Sequence, residues 1–229
     1  MIVAIDGPAA SGKSSVARAV AARRQLTLLD TGAMYRAVTL DCLENNVDCS
    51  DEAAVTEIAK RAHISFGATD AGQTVLLDGR DVTGDIRTPQ VDERVSAVSA
   101  IPGVRRAMVA LQRQLGANGD VIAEGRDVGT VVFPHADVKV FLTADPKARA
   151  HRRAAQRQGK DIAMDRSVQV DVKTERSVLA DLIRRDRLDS TREESPLRPA
   201  LDARHIDSSD LRLDEVVAQV LAAIDEVRR

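Results

Sequence analysis

Aromatic residues are almost absent from this chain of 229 residues, which has no Trp, one Tyr and three Phe. Proteins that bind single-stranded nucleic acid stack the bases on aromatic side chains, and this chain offers no such platform. Acidic and basic residues also nearly balance, with a formal net charge of −2. Because nucleic-acid-binding proteins usually carry a basic excess on one face, we expect no nucleic-acid partner.

Cysteines and long apolar runs are scarce as well. Cys42 and Cys49 form no C-x-x-C pair and belong to no Cys/His cluster, so we interpret them as reduced structural thiols. No apolar run approaches the ~20 residues that cross a bilayer. A strand pattern follows Met1 directly, without a signal peptide. We therefore expect a cytoplasmic protein with no membrane partner.

Apolar runs typical of buried strands alternate with segments of helical period. The strand runs are 2–5, 27–29, 121–123, 138–142 and 205–207, and the helical segments are 14–24, 32–44, 51–61, 104–114, 146–158, 174–186 and 214–228. Such alternation predicts an α/β fold, with a parallel five-stranded sheet and helices on both faces. Residues 63–86 break the alternation, since short strand patterns there are separated by turn signals such as Asp78-Gly79. They predict a small antiparallel insertion.

The most informative motif is the run from Gly7 to Ser14, GPAASGKS, which fits G-x-x-x-x-G-K-[ST] between a strand and a helix. Its backbone N–H groups would form a cradle for phosphates, Lys13 would reach the β- and γ-phosphates, and the Ser14 hydroxyl would bind Mg²⁺. The alternative is an ordinary Gly-containing turn. We predict that ATP binds Gly7, Pro8, Ala9, Ala10, Ser11, Gly12, Lys13, Ser14 and Ser15.

This loop does not by itself distinguish a kinase from a nucleotide-dependent switch or motor. The N-K-x-D pattern of GTPases is absent. Several arginines stand at predicted ends of elements, as a kinase that holds two polyanions requires. The alternatives that stay open are a P-loop kinase for another small acceptor, such as UMP or AMP, and a switch that hydrolyses ATP slowly.

Further motifs resemble those of bacterial cytidylate (CMP/dCMP) kinases, in the nucleoside monophosphate kinase family. The matching segments are IDGPAASGKSS, LLDTGAMYR, IAEGRDVGTVVFP, AHRRAAQRQ, RRDRLDSTR and the antiparallel insertion. The resemblance runs from end to end. It implies one P-loop kinase domain over residues 1–229, with an NMP-binding region at about 36–103 (its insertion at about 63–86) and a helical lid at about 153–170.

The resemblance also implies which residues bind CMP. Arg36, Arg126, Arg185 and Arg192 would hold the acceptor phosphate, although surface ion pairs such as Arg36 with Asp41, or Arg185 with Asp181 or Asp189, are the alternative. Asp189 would accept hydrogen bonds from the sugar, unless it serves only as a salt-bridge partner. Asp127, Ser96 and Arg105 would read the cytosine, and Thr31, Tyr35 and Gly125 would complete the pocket. Tyr35 could equally pack in the core, and Ser96 could cap a helix.

The expected lid begins in a helical segment with four arginines, Arg149, Arg152, Arg153 and Arg157. By resemblance Arg153 and Arg157 would contact ATP, and Arg152 would join Lys13, Arg126 and Arg185 as a catalytic residue; a solvated basic helix face is the alternative. A carboxylate of Asp6 or Glu124 would contact the water around Mg²⁺. The implied reaction is transfer of phosphate from Mg-ATP to CMP or dCMP by a monomer.

Overall fold

The computed structural model describes residues 1–69, 72–117, 119–159 and 168–228. In chain order its elements are β1 (Ile2–Asp6), α1 (Lys13–Arg24), β2 (Thr27–Asp30), α2 (Thr31–Glu44), α3 (Glu52–Arg61), β3 (Ile64–Thr69), β4 (Gly72–Leu77), β5 (Arg80–Asp81), α4 (Pro89–Val98), α5 (Pro102–Gly116), β6 (Val121–Gly125), β7 (Val138–Thr143), α6 (Pro146–Arg157), α7 (Val172–Thr191), β8 (Arg204–Asp207) and α8 (Leu213–Val227). A 3-10 turn (Asp85–Arg87) precedes α4, and a π-helical turn (Val128–Val132) follows β6.

The five-stranded sheet has the order β2-β6-β1-β7-β8, with β1 at its centre. The β1 strand pairs in parallel with both β6 and β7, and Asp6 lies opposite Gly125. The carboxyl ends of these strands therefore meet at one edge of the sheet, where β1 leads into the phosphate-binding loop. The predicted parallel sheet is confirmed.

The chain divides into two compact units, Met1–Leu28 with Gly119–Arg229, and Leu29–Asn118. In the first unit, the core packs β1, β7 and β8 against α1 and α8, with Ile5, Val20, Leu142 and Ile224 among its buried residues. The expected division into an NMP-binding region at 36–103 and a lid at 153–170 stays a prediction. Of that lid, residues 160–167 lie outside the described part of the chain.

The second unit contains the antiparallel sheet β3-β4-β5, which confirms the predicted insertion. Asp78 and Gly79 both have positive φ, 49° and 83°, as a two-residue hairpin turn of type I′ requires. This short turn pairs Arg80 with Leu77. The third strand is therefore Arg80–Asp81, slightly earlier than the 81–83 pattern predicts.

Two helices differ from the sequence pattern. Helix α4 was not predicted; it begins after Thr88 with Pro89 in its first turn, a start signal that the pattern analysis missed. Helix α7 continues to Thr191, five residues past the predicted end at 186, since charged residues obscure the helical period there. Among the described residues, no helix has the length and apolar character that a membrane crossing needs.

A glycine to alanine substitution tests the packing of the second unit. A Cβ at Gly103 of α5 would lie 2.3 Å from the Thr56 Oγ1 atom and 2.9 Å from the Thr56 Cβ atom. Because the Thr56 Cβ atom does not move with its rotamer, we expect Gly103→Ala to lower the free energy of unfolding by about 1–3 kcal/mol. That exceeds the gain of about 1 kcal/mol that Ala brings to a helix. Denaturant-induced unfolding measures the difference.

Gly84→Ala is the control, because no atom lies within 4 Å of a Cβ at Gly84 and its φ of −77° suits any residue. We expect Gly84→Ala to change stability by less than about 0.5 kcal/mol. Equal stability of the two variants would contradict the close packing of α5 against α3.

Candidate active site

The phosphate-binding loop combines glycines with one strained alanine. Gly7, Ala10 and Gly12 have positive φ values of 152°, 59° and 98°. Glycine is required at Gly7, because a Cβ there would lie 2.0 Å from the Leu142 carbonyl oxygen. At Ala10 the left-handed conformation costs about 1 kcal/mol or more. Contacts from outside the loop must hold it there.

Lys13, the first residue of α1, is buried, and its Nζ donates to the Pro8 carbonyl oxygen at 2.7 Å. Burial, followed by the nearby charge of Arg126, lowers the pKa of Lys13 to about 7, while Glu124 and Asp6 act in the opposite direction. A bound polyanion would add negative charge beside Lys13 and raise its pKa.

Asp6 ends β1 and is buried. Its Oδ1 accepts from the Val128 N–H at 2.8 Å and its Oδ2 from the Gly129 N–H at 2.7 Å. Burial raises the pKa of Asp6 to about 6, although both hydrogen bonds lower it. This carboxylate fixes the turn after β6, and with it the positions of Arg126 and Asp127.

Arg126, Asp127, Asp189 and Arg192 form a cluster in the first unit. The Arg126 Nε donates to the Asp189 Oδ2 at 3.0 Å. Arg192 reaches the Asp189 Oδ1 with its Nη1 at 3.8 Å and the Asp127 Oδ1 with its Nη2 at 3.9 Å, and its Nε donates to the Ser195 carbonyl oxygen at 2.6 Å. These four predicted CMP-binding residues thus lie together, and the two arginines place positive charge beside Asp189 and Asp127.

For the pKa of Asp189, the effect of the neighbouring positive charges outweighs the effect of burial. Burial alone would raise the pKa of Asp189, yet the charges of Arg126, Arg185 and Arg192 together hold it below its usual range. The charges of Arg126 and Arg185 also act on Lys13. The same two arginine charges therefore act on both Asp189 and Lys13.

Arg36 lies on α2 in the second unit and is largely buried. Its Nη1 donates to the Ile86 carbonyl oxygen at 3.0 Å, and its Nη2 donates to the Asp92 Oδ1 at 2.5 Å. Its partner is therefore Asp92 of α4 and not Asp41, whose Oδ1 accepts from Asn45. The Asp92 contact orients the Arg36 guanidinium.

Tyr35 and Arg105 lie together in the second unit. The Arg105 guanidinium carbon is 5.2 Å from the centre of the Tyr35 ring, a cation–π distance, and the Arg105 Nη1 donates to the Ser99 carbonyl oxygen at 3.0 Å. Arg105 is only 2% exposed. Ser96 is in the last turn of α4, whose N-cap is Thr88, so Ser96 does not cap the start of this helix. Thr31 begins α2 and is buried.

The α6 arginines point in different directions. Arg152 is buried and donates from its Nη1 to the Ser208 Oγ at 3.0 Å and from its Nη2 to the Ser208 carbonyl oxygen at 2.6 Å. The Arg153 Nη1 reaches the Gln156 Oε1 at 3.4 Å, and the exposed Arg157 lies 3.8 Å from the Asp181 Oδ2. These three arginines therefore do not form one continuous row on the helix surface.

A phosphate-binding loop at the edge of a parallel sheet, with a buried lysine and an arginine cluster beside it, defines a P-loop phosphotransferase. The sequence profile of cytidylate kinase matches residues 3–226. The chain belongs to the cytidylate kinase family, which the motif resemblance predicts. Members of this class carry out ATP-dependent kinase chemistry on nucleotide substrates.

Individual relatives agree with this assignment. The cytidylate kinase of Carboxydothermus hydrogenoformans is 47% identical over 224 residues, 98% of this chain and 97% of the relative. The cytidylate kinase of Bacillus velezensis is 45% identical over 227 residues, 99% of this chain and 97% of the relative. An uncharacterized protein from Eubacterium ventriosum has a similar fold, with a TM-score of 0.50 at 15% identity and 98% of both chains covered.

Asp6→Asn tests the contact between β1 and the turn after β6. Asn keeps one acceptor and presents an NH₂ group to the second amide, so we expect a loss of about 1–3 kcal/mol in unfolding free energy at pH 7.

The folded pKa of Asp6, about 6, exceeds its ordinary value of 3.8. The stability from this proton is therefore fully present below pH 3.8 and is lost as the pH rises through 6. The wild-type advantage should grow by up to about 3 kcal/mol from pH 7 to pH 4.

Asp137→Asn is the matched control, because Asp137 is exposed and accepts one amide, that of Ile2, at the opposite end of β1. Its effect on the free energy of unfolding should be small. Denaturant titrations of the three proteins at several pH values measure this, and a constant difference between wild type and Asp6→Asn would contradict the raised pKa.

Proposed function

We propose that this protein transfers the γ-phosphoryl group of Mg-ATP to CMP and dCMP, giving ADP and CDP or dCDP. The arginine cluster around Asp189 is the observation that carries the proposal. A switch that only hydrolyses ATP needs one phosphate site, the P-loop, whereas this unit adds Arg126, Arg185 and Arg192 beside it. Membership of the cytidylate kinase family supports the same reaction.

The chemistry is a direct in-line transfer. An oxygen of the acceptor phosphate attacks the γ-phosphorus of ATP, a new P–O bond forms, and the bond to ADP breaks with its electron pair leaving on ADP. The acceptor is already anionic, so no general base is needed and no phosphoenzyme forms. Lys13, the loop amides, Arg126 and Arg185 stabilise the charge that spreads over the transferred group, and we propose that Arg152 supports this set from α6.

The residues of the phosphate-binding loop fit a magnesium ion that takes most of its ligands from ATP and water. Ser14 is exposed in the first turn of α1, where its hydroxyl would bind Mg²⁺. The described residues contain no group of three or more His, Cys, Asp or Glu side chains suited to a metal, and Mg²⁺ characteristically takes most of its ligands from phosphates and water. Bound Mg²⁺ neutralises phosphate charge. We propose that a carboxylate of Glu124 or Asp6 contacts the water around Mg²⁺.

For CMP binding, we propose the residues that the motif resemblance implies. Arg36, Arg126, Arg185 and Arg192 bind the acceptor phosphate, and Asp189 binds the sugar. Asp127 accepts from the cytosine amine, Ser96 and Arg105 contact the base, and Thr31, Tyr35 and Gly125 line the pocket. Uracil places a carbonyl where cytosine has its amine, so Asp127 would repel UMP.

The remaining assignments are also proposals. Arg153 and Arg157 would contact ATP when a lid formed by residues 153–170 closes and excludes water. The near-neutral charge and the lack of a spanning helix among the described residues are compatible with a cytoplasmic monomer that binds neither nucleic acid nor membrane.

An acceptor panel tests the reaction. Formation of ADP from Mg-ATP is followed with CMP, dCMP, UMP, AMP, GMP or no acceptor. We expect fast turnover with CMP and dCMP, weak turnover with UMP, and almost none without acceptor. Preference for AMP or UMP would point to a kinase for another nucleotide, and equal ADP release in every reaction would point to an ATPase.

Asp127→Asn tests the base contact. Loss of the carboxylate weakens the contact with the cytosine amine, so we expect kcat/KM for CMP to fall roughly 10- to 100-fold. Because an amide can donate to the uracil carbonyl, the ratio of kcat/KM for CMP to that for UMP should also fall. Asp202→Asn is the control, because Asp202 is an exposed carboxylate that pairs with Lys139. An unchanged ratio of CMP to UMP turnover in Asp127→Asn would remove Asp127 from base recognition.

A further inference from the structure

Arg149 of α6 contacts three separate segments of the first unit. Its Nε donates to the Ala144 carbonyl oxygen at 3.0 Å, and its Nη1 donates to the Ala9 carbonyl oxygen of the phosphate-binding loop at 3.2 Å. Its Nη2 lies 2.7 Å from the Asp186 Oδ2 of α7, and the Arg149 side chain is only 5% exposed. A buried guanidinium in this position is therefore fully engaged within the protein.

The contact with Ala9 has a consequence for the loop. In a trans peptide the C=O and the following N–H point in opposite directions. When Arg149 holds the Ala9 carbonyl oxygen, the Ala10 N–H is directed away from Arg149. This same peptide precedes Ala10, whose φ of 59° is strained, so the Arg149 contact helps to hold the strained conformation.

Apolar packing surrounds the same peptide. Ala9 and Ala10 pack against a cluster formed by Ala150 and Ala154 of α6 with Val178 and Leu182 of α7. Packing alone sets the position of the loop but does not fix the rotation of a peptide plane. A charge-assisted hydrogen bond with directional geometry does.

Asp186 holds the guanidinium in this orientation. Its Oδ2 is the partner of the Nη2 atom, while the Nη1 atom faces the loop. A planar fork with fixed donor directions can satisfy Ala144, Ala9 and Asp186 at once, whereas a lysine ammonium at this position could not span the three.

We propose that Arg149 is a positioning residue for ATP: oriented by Asp186, it turns the Ala9–Ala10 peptide so that the Ala10 N–H is presented to the ATP phosphates. The proposal rests on the proposed function only in that ATP binds the P-loop. Arg149 itself does not touch the nucleotide, and it acts through the backbone of the loop.

The test compares Arg149→Lys and Asp186→Asn with the wild type. Mg-ATP binding is measured by calorimetry without acceptor, and KM for ATP and for CMP are measured in turnover. We expect both variants to bind ATP about tenfold more weakly and to raise KM for ATP to match, with KM for CMP within twofold of wild type. Because both residues act through one contact, the double variant should be about as weak as either single variant.

Asp225→Asn is the matched control. Asp225 lies on α8 and pairs with Arg24, at the end of α1 opposite to the phosphate-binding loop. We expect its ATP affinity to equal that of wild type. Thermal unfolding of all variants shows whether a loss of binding follows a loss of folding.

Several outcomes overturn the proposal. They are ATP affinity unchanged in Arg149→Lys and Asp186→Asn, equal weakening of ATP and CMP together with a lower melting temperature, or an equal loss in Asp225→Asn. If Arg149→Lys does not fold, Asp186→Asn decides alone. A wild type that binds ATP but phosphorylates no nucleotide would refute the proposed function while leaving this binding comparison valid.

Discussion

The two hydrogen bonds of the Asp6 carboxylate are the constraint on which the first unit's site depends. Asp6 ends the central strand, and the phosphate-binding loop starts at the next residue. Its oxygens hold the Val128 and Gly129 amides, so one side chain fixes both the start of the loop and the turn that carries Arg126 and Asp127. Burying a carboxylate is costly unless donors satisfy it, and the pKa of about 6 shows that two amides compensate only in part.

The same region concentrates like charges. Arg126 lowers the pKa of Lys13 and also lowers that of Asp189. Its charge therefore disfavours the protonated form of the buried Lys13 and favours the ionised form of the buried Asp189. A polyanion near Lys13, Arg126 and Arg185 would relieve the repulsion between them, since opposite charge favours each protonated form. The placement of these three cations in one region favours phosphate binding.

The sequence predicts the parallel sheet, the P-loop and the antiparallel insertion because these depend on local pattern: a buried apolar run, glycine spacing and the Asp78-Gly79 turn. It does not predict the partners of buried charges. Arg36 pairs with Asp92, 56 residues away, and not with the nearby Asp41, because helix α4 went unrecognised. In α6, Arg149 and Arg153 share a helical face by spacing, yet Arg149 is buried and Arg153 is only partly so. Periodicity shows which residues share a face, but the elements packed against that face determine their partners.

Helix α6 explains how a loop with an alanine in a left-handed conformation keeps its shape. Arg149 holds the Ala9 carbonyl oxygen, and Arg152 donates to Ser208, whose Oγ in turn lies 3.0 Å from the Ser11 carbonyl oxygen. These contacts hold the Ala9–Ala10 peptide before Ala10 and the Ser11–Gly12 peptide one residue beyond it. A hydrogen bond from a charged group is worth about 1.5–3 kcal/mol, enough to offset the cost of about 1–3 kcal/mol for a left-handed non-glycine residue. The glycines make the turn sterically possible, whereas the two arginines of α6 determine which way its peptides face.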